Sequence, residues 1–134
     1  MLGDHLMSLS KELGVENQVH LLGFRPDIPE LYKCADLCAF PSIREGLGLA
    51  AIEGMAAGLP LVVSDNRGAK SYATDNINAL ICPVGNHVSA YADALNEMIN
   101  SSSLRESMGK YNFEFAKNFE VKKINERMKE IYKI

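Results

Sequence analysis

The sequence predicts an α/β fold in which a parallel sheet has helices on both faces. Short segments that are apolar throughout alternate with longer segments of helical periodicity. Strands that are apolar on both faces are typical of buried parallel sheets, and their alternation with helices indicates strand–helix–strand units. The chain has 134 residues, of which 47% are hydrophobic, and this is enough for one domain with one core.

The first elements are a helix, a strand and a second helix. Leucines recur at helical spacing over residues 2–13, and Gly14 stands in the stop position, which predicts a helix. The segment VHLLG (19–23) predicts a short buried strand. Asp27 and Glu30 form a capping-box pattern, so a second helix is expected to follow.

The middle of the chain continues the alternation. DLCAF (36–40) predicts a strand, and an alanine-rich helix is expected over residues 47–57. The strand predicted over residues 60–64 leads into the turn DNRG (65–68), which has the residue types of a tight bend.

The last predicted strand is NALICP (78–83). Asn86 is a good N-cap, and the chain after it is expected to be helical with breaks near Asn100 and Asn118. Ser103 and Glu106 form another capping-box pattern. The final helix is predicted to carry one apolar stripe, formed by Val121, Ile124, Met128 and Ile131.

Composition excludes several classes of protein. The net charge of −3 argues against a nucleic-acid binder, which usually has a basic excess. Cys34, Cys38 and Cys82 match no zinc-ligand spacing, so buried reduced thiols in the cytoplasm are expected. No apolar run reaches the roughly 18–20 residues of a membrane span, and no signal peptide is recognisable.

The candidate ligand-binding residues are concentrated in one segment, PSIREGLGLAAIEGMAAGLPLVVS (41–64). A loop with Gly46 and Gly48 follows a predicted strand and opens a helix, which places unpaired N–H groups and a positive helix end at one point, where phosphate binds. Glu45 and Glu53 supply carboxylates, which accept hydrogen bonds from hydroxyls. The sequence therefore predicts a site for a phosphate with sugars attached.

Each of these residues also has a purely structural interpretation. Glu45 could be a charge that stabilises a helix start, and Glu53 could point into solvent. Gly46 and Gly48 could be turn glycines with positive φ, although the same lack of a side chain permits close approach to phosphate.

Three arginines, Arg25, Arg44 and Arg67, could contact phosphate or lie in solvent. The three histidines are scattered, none has a partner at ligand spacing, and no general base is predicted.

The pattern PS..EG.GL...E.MA.G.P...S, with VHLLGF and PELYKCADLCAFPS before it and NALICP after it, resembles a known family. It is similar to the C-terminal half of retaining glycosyltransferases of the family-4 type, which have the GT-B fold of two Rossmann-like domains. The resemblance covers residues 1–134, which would form the donor-binding domain.

The resemblance implies a role for each motif residue. Glu45 would be catalytic, lying near the transferred sugar and the phosphates, and Glu53 would bind the ribose hydroxyls. Backbone N–H groups of residues 46–49 would face the diphosphate, and residues 23–25 would cradle the base. The implied donor-binding residues are Glu45, Gly46, Leu47, Gly48, Leu49, Glu53, Gly23, Phe24 and Arg25.

The resemblance also implies the reaction. The parent protein would transfer a sugar from a nucleotide-diphosphate sugar to a glycan or lipid-linked acceptor, with retention and without a metal or other cofactor. Family members often serve surface-polysaccharide synthesis in the cytoplasm, some at the inner face of the membrane.

The chain departs from the family pattern in several respects. An acceptor-binding domain, the first two strands of the donor domain and their basic residues are not found in this sequence, so it is interpreted as truncated and inactive alone. Lys70 and Ser71 stand where the family often has a carboxylate. Strand edges left open would favour self-association. An alternative function is a non-catalytic α/β module or subunit that docks on a separate acceptor-binding chain.

Overall fold

The computed structural model describes residues 2–133. The helices are α1 (Leu2–Glu12), α2 (Ile28–Lys33), α3 (Leu49–Ala56), α4 (Val88–Asn100), α5 (Ser102–Ala116) and α6 (Val121–Tyr132). The strands are β1 (Cys38–Phe40), β2 (Leu61–Ser64) and β3 (Ala79–Cys82). Two 3₁₀ turns cover Ala69–Ser71 and Lys117–Phe119.

The three strands form one parallel sheet in the order β1–β2–β3. β2 lies in the centre, and all four of its residues are buried. Val62 of β2 is opposite Ala39 on one side and Leu80 on the other. α3 lies in the connection from β1 to β2, as expected when consecutive strands run in the same direction. The predicted α/β fold is confirmed.

The two faces of β2 contribute to two separate apolar clusters. Leu61 and Val63 pack with α3 on one face, whereas Val62 packs with α4 on the other. Successive side chains of a strand point to opposite faces, so one buried strand supplies both clusters. α5 joins them, because its Ala116 belongs to the first cluster and its Met108 to the second.

α5 approaches the turn after α3 very closely. A Cβ added to Gly109 would lie 2.3 Å from the carbonyl oxygen of Gly58. One turn further along α5, the buried Asn112 donates through Nδ2 to the backbone carbonyls of Leu59 (2.8 Å) and Asn78 (2.9 Å). No described residue bonds its Oδ1. These two positions fix α5 against the core.

The predicted strand over residues 19–23 is wrong. The structure has no strand there, and Leu21 and Leu22 are 48% and 54% exposed. A strand needs hydrogen bonds to a neighbouring strand, because an isolated extended segment is not stable in water. Within residues 2–133 no strand lies beside this segment.

Two predicted helix starts are displaced. α4 is preceded by His87 rather than by Asn86. α5 is capped by Ser101, whose Oγ accepts a hydrogen bond from the N–H of Leu104 (3.3 Å), so Ser103 lies inside the helix. Several serines stand together here, and only backbone geometry decides which one caps.

The three cysteines differ in exposure. Cys82 is buried and Cys38 is partly buried, and burial raises the pKa of both thiols, which keeps them protonated. Cys34 is exposed, so the prediction of a buried thiol is wrong at this position. It follows the last residue of the short helix α2, of which no residue is buried.

The apolar stripe of α6 is present but faces outward. The four residues of the stripe have side chains that are between 39% and 74% exposed: Val121, Ile124, Met128 and Ile131. Contacts inside residues 2–133 therefore do not cover this surface. No helix in that range combines the length and the apolar character needed to cross a membrane.

Candidate functional site

The glycine-bearing loop of residues 42–48 connects β1 to α3, as the sequence predicts. Gly48 is the residue before α3 and has φ 77°, a left-handed conformation that favours glycine. Gly46 does not have positive φ, and a Cβ added there would meet no atom within 4 Å. Gly48 is therefore needed for the chain path, whereas the fold places no such demand on Gly46.

Side chains from two segments hold the loop in place. The Oγ of Ser42 donates to Oε1 of Glu45 at 2.9 Å. Asn66, which is 5% exposed, donates through Nδ2 to the backbone carbonyl of Ser42 and accepts from the N–H of Ala69, each at 2.9 Å. The backbone of Gly68 lies directly against Glu45. Asn66 thus joins the loop to the turn after β2.

Backbone N–H groups in the loop are unpaired. Among the described residues, none accepts a hydrogen bond from the N–H groups of residues 46–49. The first helical bond at this end is donated by Ala51 to the carbonyl of Gly48. Unpaired N–H groups at a helix start, together with the helix dipole, form an anion-binding surface.

Tyr72 lies behind this loop. It is 2% exposed, and its hydroxyl is 2.9 Å from the position that a Cβ on Gly48 would occupy. No residue in the described part of the chain forms a hydrogen bond with this hydroxyl. The pKa of Tyr72 is raised to about 12, first by burial and then by the negative charge of Glu45.

Glu53 lies in a different environment from Glu45. It is exposed on α3 and lines a cavity of about 470 Å³ between α2 and α3, together with Pro26 and Tyr32. The hydroxyl of Tyr32 donates to the backbone carbonyl of Ala50 at 2.8 Å, which ties α2 to α3. Glu45 is not among the residues that line this cavity. The structure therefore brings Glu53 close to the segment after residue 25, and not into one enclosed hollow with Glu45.

The segment of residues 23–25 leads into that cavity. Gly23 has φ 64°, and Phe24 is 95% exposed. Arg25 donates through Nε to the carboxylate of Asp27 at 2.7 Å, and this pairing lowers the pKa of Asp27. Asp27 therefore makes no side-chain cap for α2, and the predicted capping box with Glu30 is wrong.

Sequence reasoning missed the contacts that shape the loop. Ser42 and Asn66 stand in the predicted strand end and turn, but residues 24 positions apart reveal no pairing by their spacing. Tyr72 gave no signal either, since the polar segment around it (AKSYATD, 69–75) matches no motif and a lone tyrosine can simply be a core residue. Arg44 and Arg67 are exposed, and no described carboxylate pairs with them.

The sequence matches the family described as "Glycosyl transferases group 1" over residues 3–115. A D-inositol 3-phosphate glycosyltransferase of Corynebacterium jeikeium is 33% identical over 131 residues, which are 96% of this chain and 31% of that protein. The corresponding enzyme of Corynebacterium diphtheriae is 30% identical, over 96% of this chain and 30% of its own length. The chain thus spans about a third of the length of these curated relatives.

Solved structures of similar proteins superpose on this chain over nearly its whole length. Anabaena HepE, determined in complex with UDP, superposes with a TM-score of 0.92 at 29% identity, over 97% of this chain and 36% of that one. HepE has also been determined in complex with UDP-glucose. Sucrose-phosphate synthase from Thermosynechococcus elongatus superposes with a TM-score of 0.90 at 25% identity, over 97% of this chain and 33% of that one. The chain therefore belongs to the group 1 glycosyl transferases and has the C-terminal type of domain of their GT-B fold.

Proposed function

We propose that residues 1–134 bind the nucleotide-diphosphate sugar of a glycosyltransferase that transfers the sugar, with retention, to a glycan or lipid-linked acceptor. The observation that carries this proposal is the set of unpaired N–H groups at residues 46–49. Glu45 directly precedes this set, and Glu53 follows it about one helical turn later. The UDP and UDP-glucose complexes of HepE support a donor of this class. The acceptor is bound by other parts of the full-length protein.

In this proposal the diphosphate lies against the start of α3. Hydrogen bonds from the N–H groups of residues 46–49 and the partial positive charge of the helix end stabilise the negative charge that grows on the leaving diphosphate. These groups are held in advance by the contacts of Ser42 and Asn66, so they need little rearrangement during the reaction. No step requires a metal ion.

Glu45 and Glu53 take different parts of the donor. Glu45 lies in the loop of residues 42–48 and is assigned to the transferred sugar. Glu53 faces the cavity between α2 and α3 and is assigned to the ribose hydroxyls, with the base lying along residues 23–25. Two carboxylates in separate environments suit a row of sugar, diphosphate and nucleoside, because each can accept hydrogen bonds from one set of hydroxyls.

Replacement of Glu53 by alanine is expected to weaken UDP binding about tenfold, because a charged acceptor of ribose hydroxyl bonds is lost. Isothermal titration of the full-length natural protein with UDP measures this. Glu130→Ala removes another exposed helical glutamate, on α6, and is expected to leave the affinity unchanged. A protein that binds no nucleoside diphosphate, or equal affinities in Glu53→Ala and the natural sequence, would contradict the proposal.

Replacement of Gly46 by alanine is expected to lower the affinity for UDP while the stability of the fold stays nearly the same. Its φ is not positive and an added methyl group meets no atom within 4 Å, so the free energy of unfolding should change by less than about 1 kcal/mol. The methyl group would stand where the diphosphate approaches the backbone, and UDP affinity is expected to fall at least about tenfold. Urea unfolding and titration with UDP test both statements. Gly3→Ala on α1 is the matched control, and normal affinity in Gly46→Ala would remove the loop from the donor site.

A further inference from the structure

We infer that Tyr72 is a positioning residue for Glu45: its hydroxyl donates a hydrogen bond to the Glu45 carboxylate when a nucleotide sugar is bound, so that the site favours the intact donor over the bare nucleotide. This inference rests on the proposed function. Tyr72 itself touches neither the diphosphate nor the nucleoside in this assignment.

The unpaired hydroxyl of Tyr72 is the observation that requires an explanation. Its oxygen is buried, and nothing among residues 2–133 bonds to it. An unsatisfied buried polar group destabilises a fold, and such groups in natural proteins are rare. A phenylalanine would fill the same space against Ala51 and Met55 in the core cluster without this penalty. The hydroxyl is therefore best explained by a partner that it gains in another state.

Glu45 is the partner that the geometry favours. The 3₁₀ turn of Ala69–Ser71 leads directly to Tyr72. Gly68, the residue before this turn, has its backbone against Glu45. Burial raises the pKa of Tyr72 first and the negative charge of Glu45 raises it further, which agrees with a position of the carboxylate near the hydroxyl.

Glu45 has room for a second hydrogen bond. Its Oε1 accepts from Ser42, and no described residue donates to its other oxygen. An ionised carboxylate can accept about four hydrogen bonds, so it can bind Ser42 and Tyr72 together. Two donors would fix the plane of the carboxylate, whereas one donor leaves it free to rotate. A fixed carboxylate presents its remaining lone pairs to the sugar in one direction.

The assignment predicts different effects on two ligands. A donor that carries its transferable sugar benefits from an oriented Glu45, but UDP lacks this sugar and its ribose is assigned to Glu53. In Tyr72→Phe, affinity for UDP-glucose is therefore expected to fall about tenfold, while affinity for UDP stays within about twofold. Because the variant also removes an unpaired hydroxyl, the urea concentration at the midpoint of unfolding should stay the same or rise.

The experiment compares three variants of the full-length natural protein by titration with UDP and with UDP-glucose. Tyr91→Phe is the matched control, because the Tyr91 hydroxyl is already paired with Ser64 at 2.5 Å. Its unfolding midpoint should fall and both affinities should stay unchanged. Glu45→Ala is the positive control and should weaken UDP-glucose binding at least as much as Tyr72→Phe.

Each outcome decides a separate question. Unchanged UDP-glucose affinity in Tyr72→Phe overturns the inference, and so does an equal loss for both ligands, which would show a merely structural role. Unchanged UDP-glucose affinity in Glu45→Ala overturns the role proposed for Glu45, and with it the inference. Failure of the natural sequence to bind these two ligands or any other nucleoside diphosphate overturns the proposed function itself.

Discussion

Replacement of Asn112 by aspartate is expected to lower the free energy of unfolding by about 4 kcal/mol at pH 7. Asn112 is 0% exposed and donates to the backbone carbonyls of Leu59 and Asn78. A carboxylate at this position has no proton to donate, and its charge faces two carbonyl oxygens in a buried site. The natural stability of a domain is about 5–15 kcal/mol, so much of the population could unfold.

The penalty in Asn112→Asp is expected to depend on pH. Burial and the two carbonyl oxygens raise the pKa of the new carboxyl group in the folded state above the unfolded value of about 3.9. Below that pH both states are protonated, and the acid can still donate one hydrogen bond. As pH rises above it, the folded state holds a proton that the unfolded state releases. Stability then falls by about 1.4 kcal/mol per pH unit until the folded-state pKa is reached.

Asn112→Ala serves as the control for the charge. It removes both hydrogen bonds and leaves a small cavity, so a loss of about 2–4 kcal/mol is expected. No ionisable group is added, and the difference from the natural sequence should be the same at pH 4 and pH 8. Urea unfolding across this range measures both variants. Parallel pH curves for the aspartate and alanine variants would contradict the assigned environment of Asn112.

Replacement of Gly109 by alanine is expected to cost about 3 kcal/mol of unfolding free energy. Alanine is normally preferred to glycine inside a helix by about 1 kcal/mol. Here the new Cβ would lie 2.3 Å from the carbonyl oxygen of Gly58, which is backbone and cannot turn aside. α5 must move away from α3, and overpacking of this kind typically costs about 1–3 kcal/mol or more.

Gly3→Ala is the matched substitution for Gly109→Ala. Gly3 also lies in a helix, but its nearest contact to an added Cβ is Leu21 Cδ1 at 3.9 Å, an ordinary distance. The same change should therefore stabilise the chain slightly, by up to about 0.5 kcal/mol. Thermal or urea unfolding compares the two. A loss below about 1 kcal/mol in Gly109→Ala would show that α5 can move freely against the turn after α3.

The elements whose local sequence has clear boundaries were predictable. β2 and β3 follow from apolar segments bounded by proline, glycine and asparagine, and α3 from its alanine-rich sequence and the stop at Gly58. The segment of residues 19–23 is equally apolar, yet it forms no strand. Apolar sequence indicates a tendency to be buried, but it does not show whether a neighbouring strand is present to pair with. Asp27 likewise has the sequence of a cap, but it pairs with Arg25.

The site was predictable in its chemistry and not in its arrangement. The loop, the helix start and the two glutamates follow from one continuous segment of sequence. That Glu53 faces α2 while Glu45 faces the turn after β2 depends on tertiary packing. The bond from Asn66 to Ser42 and the position of Tyr72 behind Gly48 also join distant segments, and a single sequence carries no signal for such pairs.

The all-parallel sheet has a consequence for how this chain acquires its structure. Each pair of adjacent strands is separated along the chain by a long connection, so no hairpin can form early and act as a nucleus. Closing these long connections costs conformational entropy, and this cost comes before any hydrogen bond between the strands can compensate for it. We therefore expect β2 to gain its two partners late. The newly made chain would then leave this strand, which is fully buried in the fold, exposed to water for longer than the core of a helical bundle of the same length.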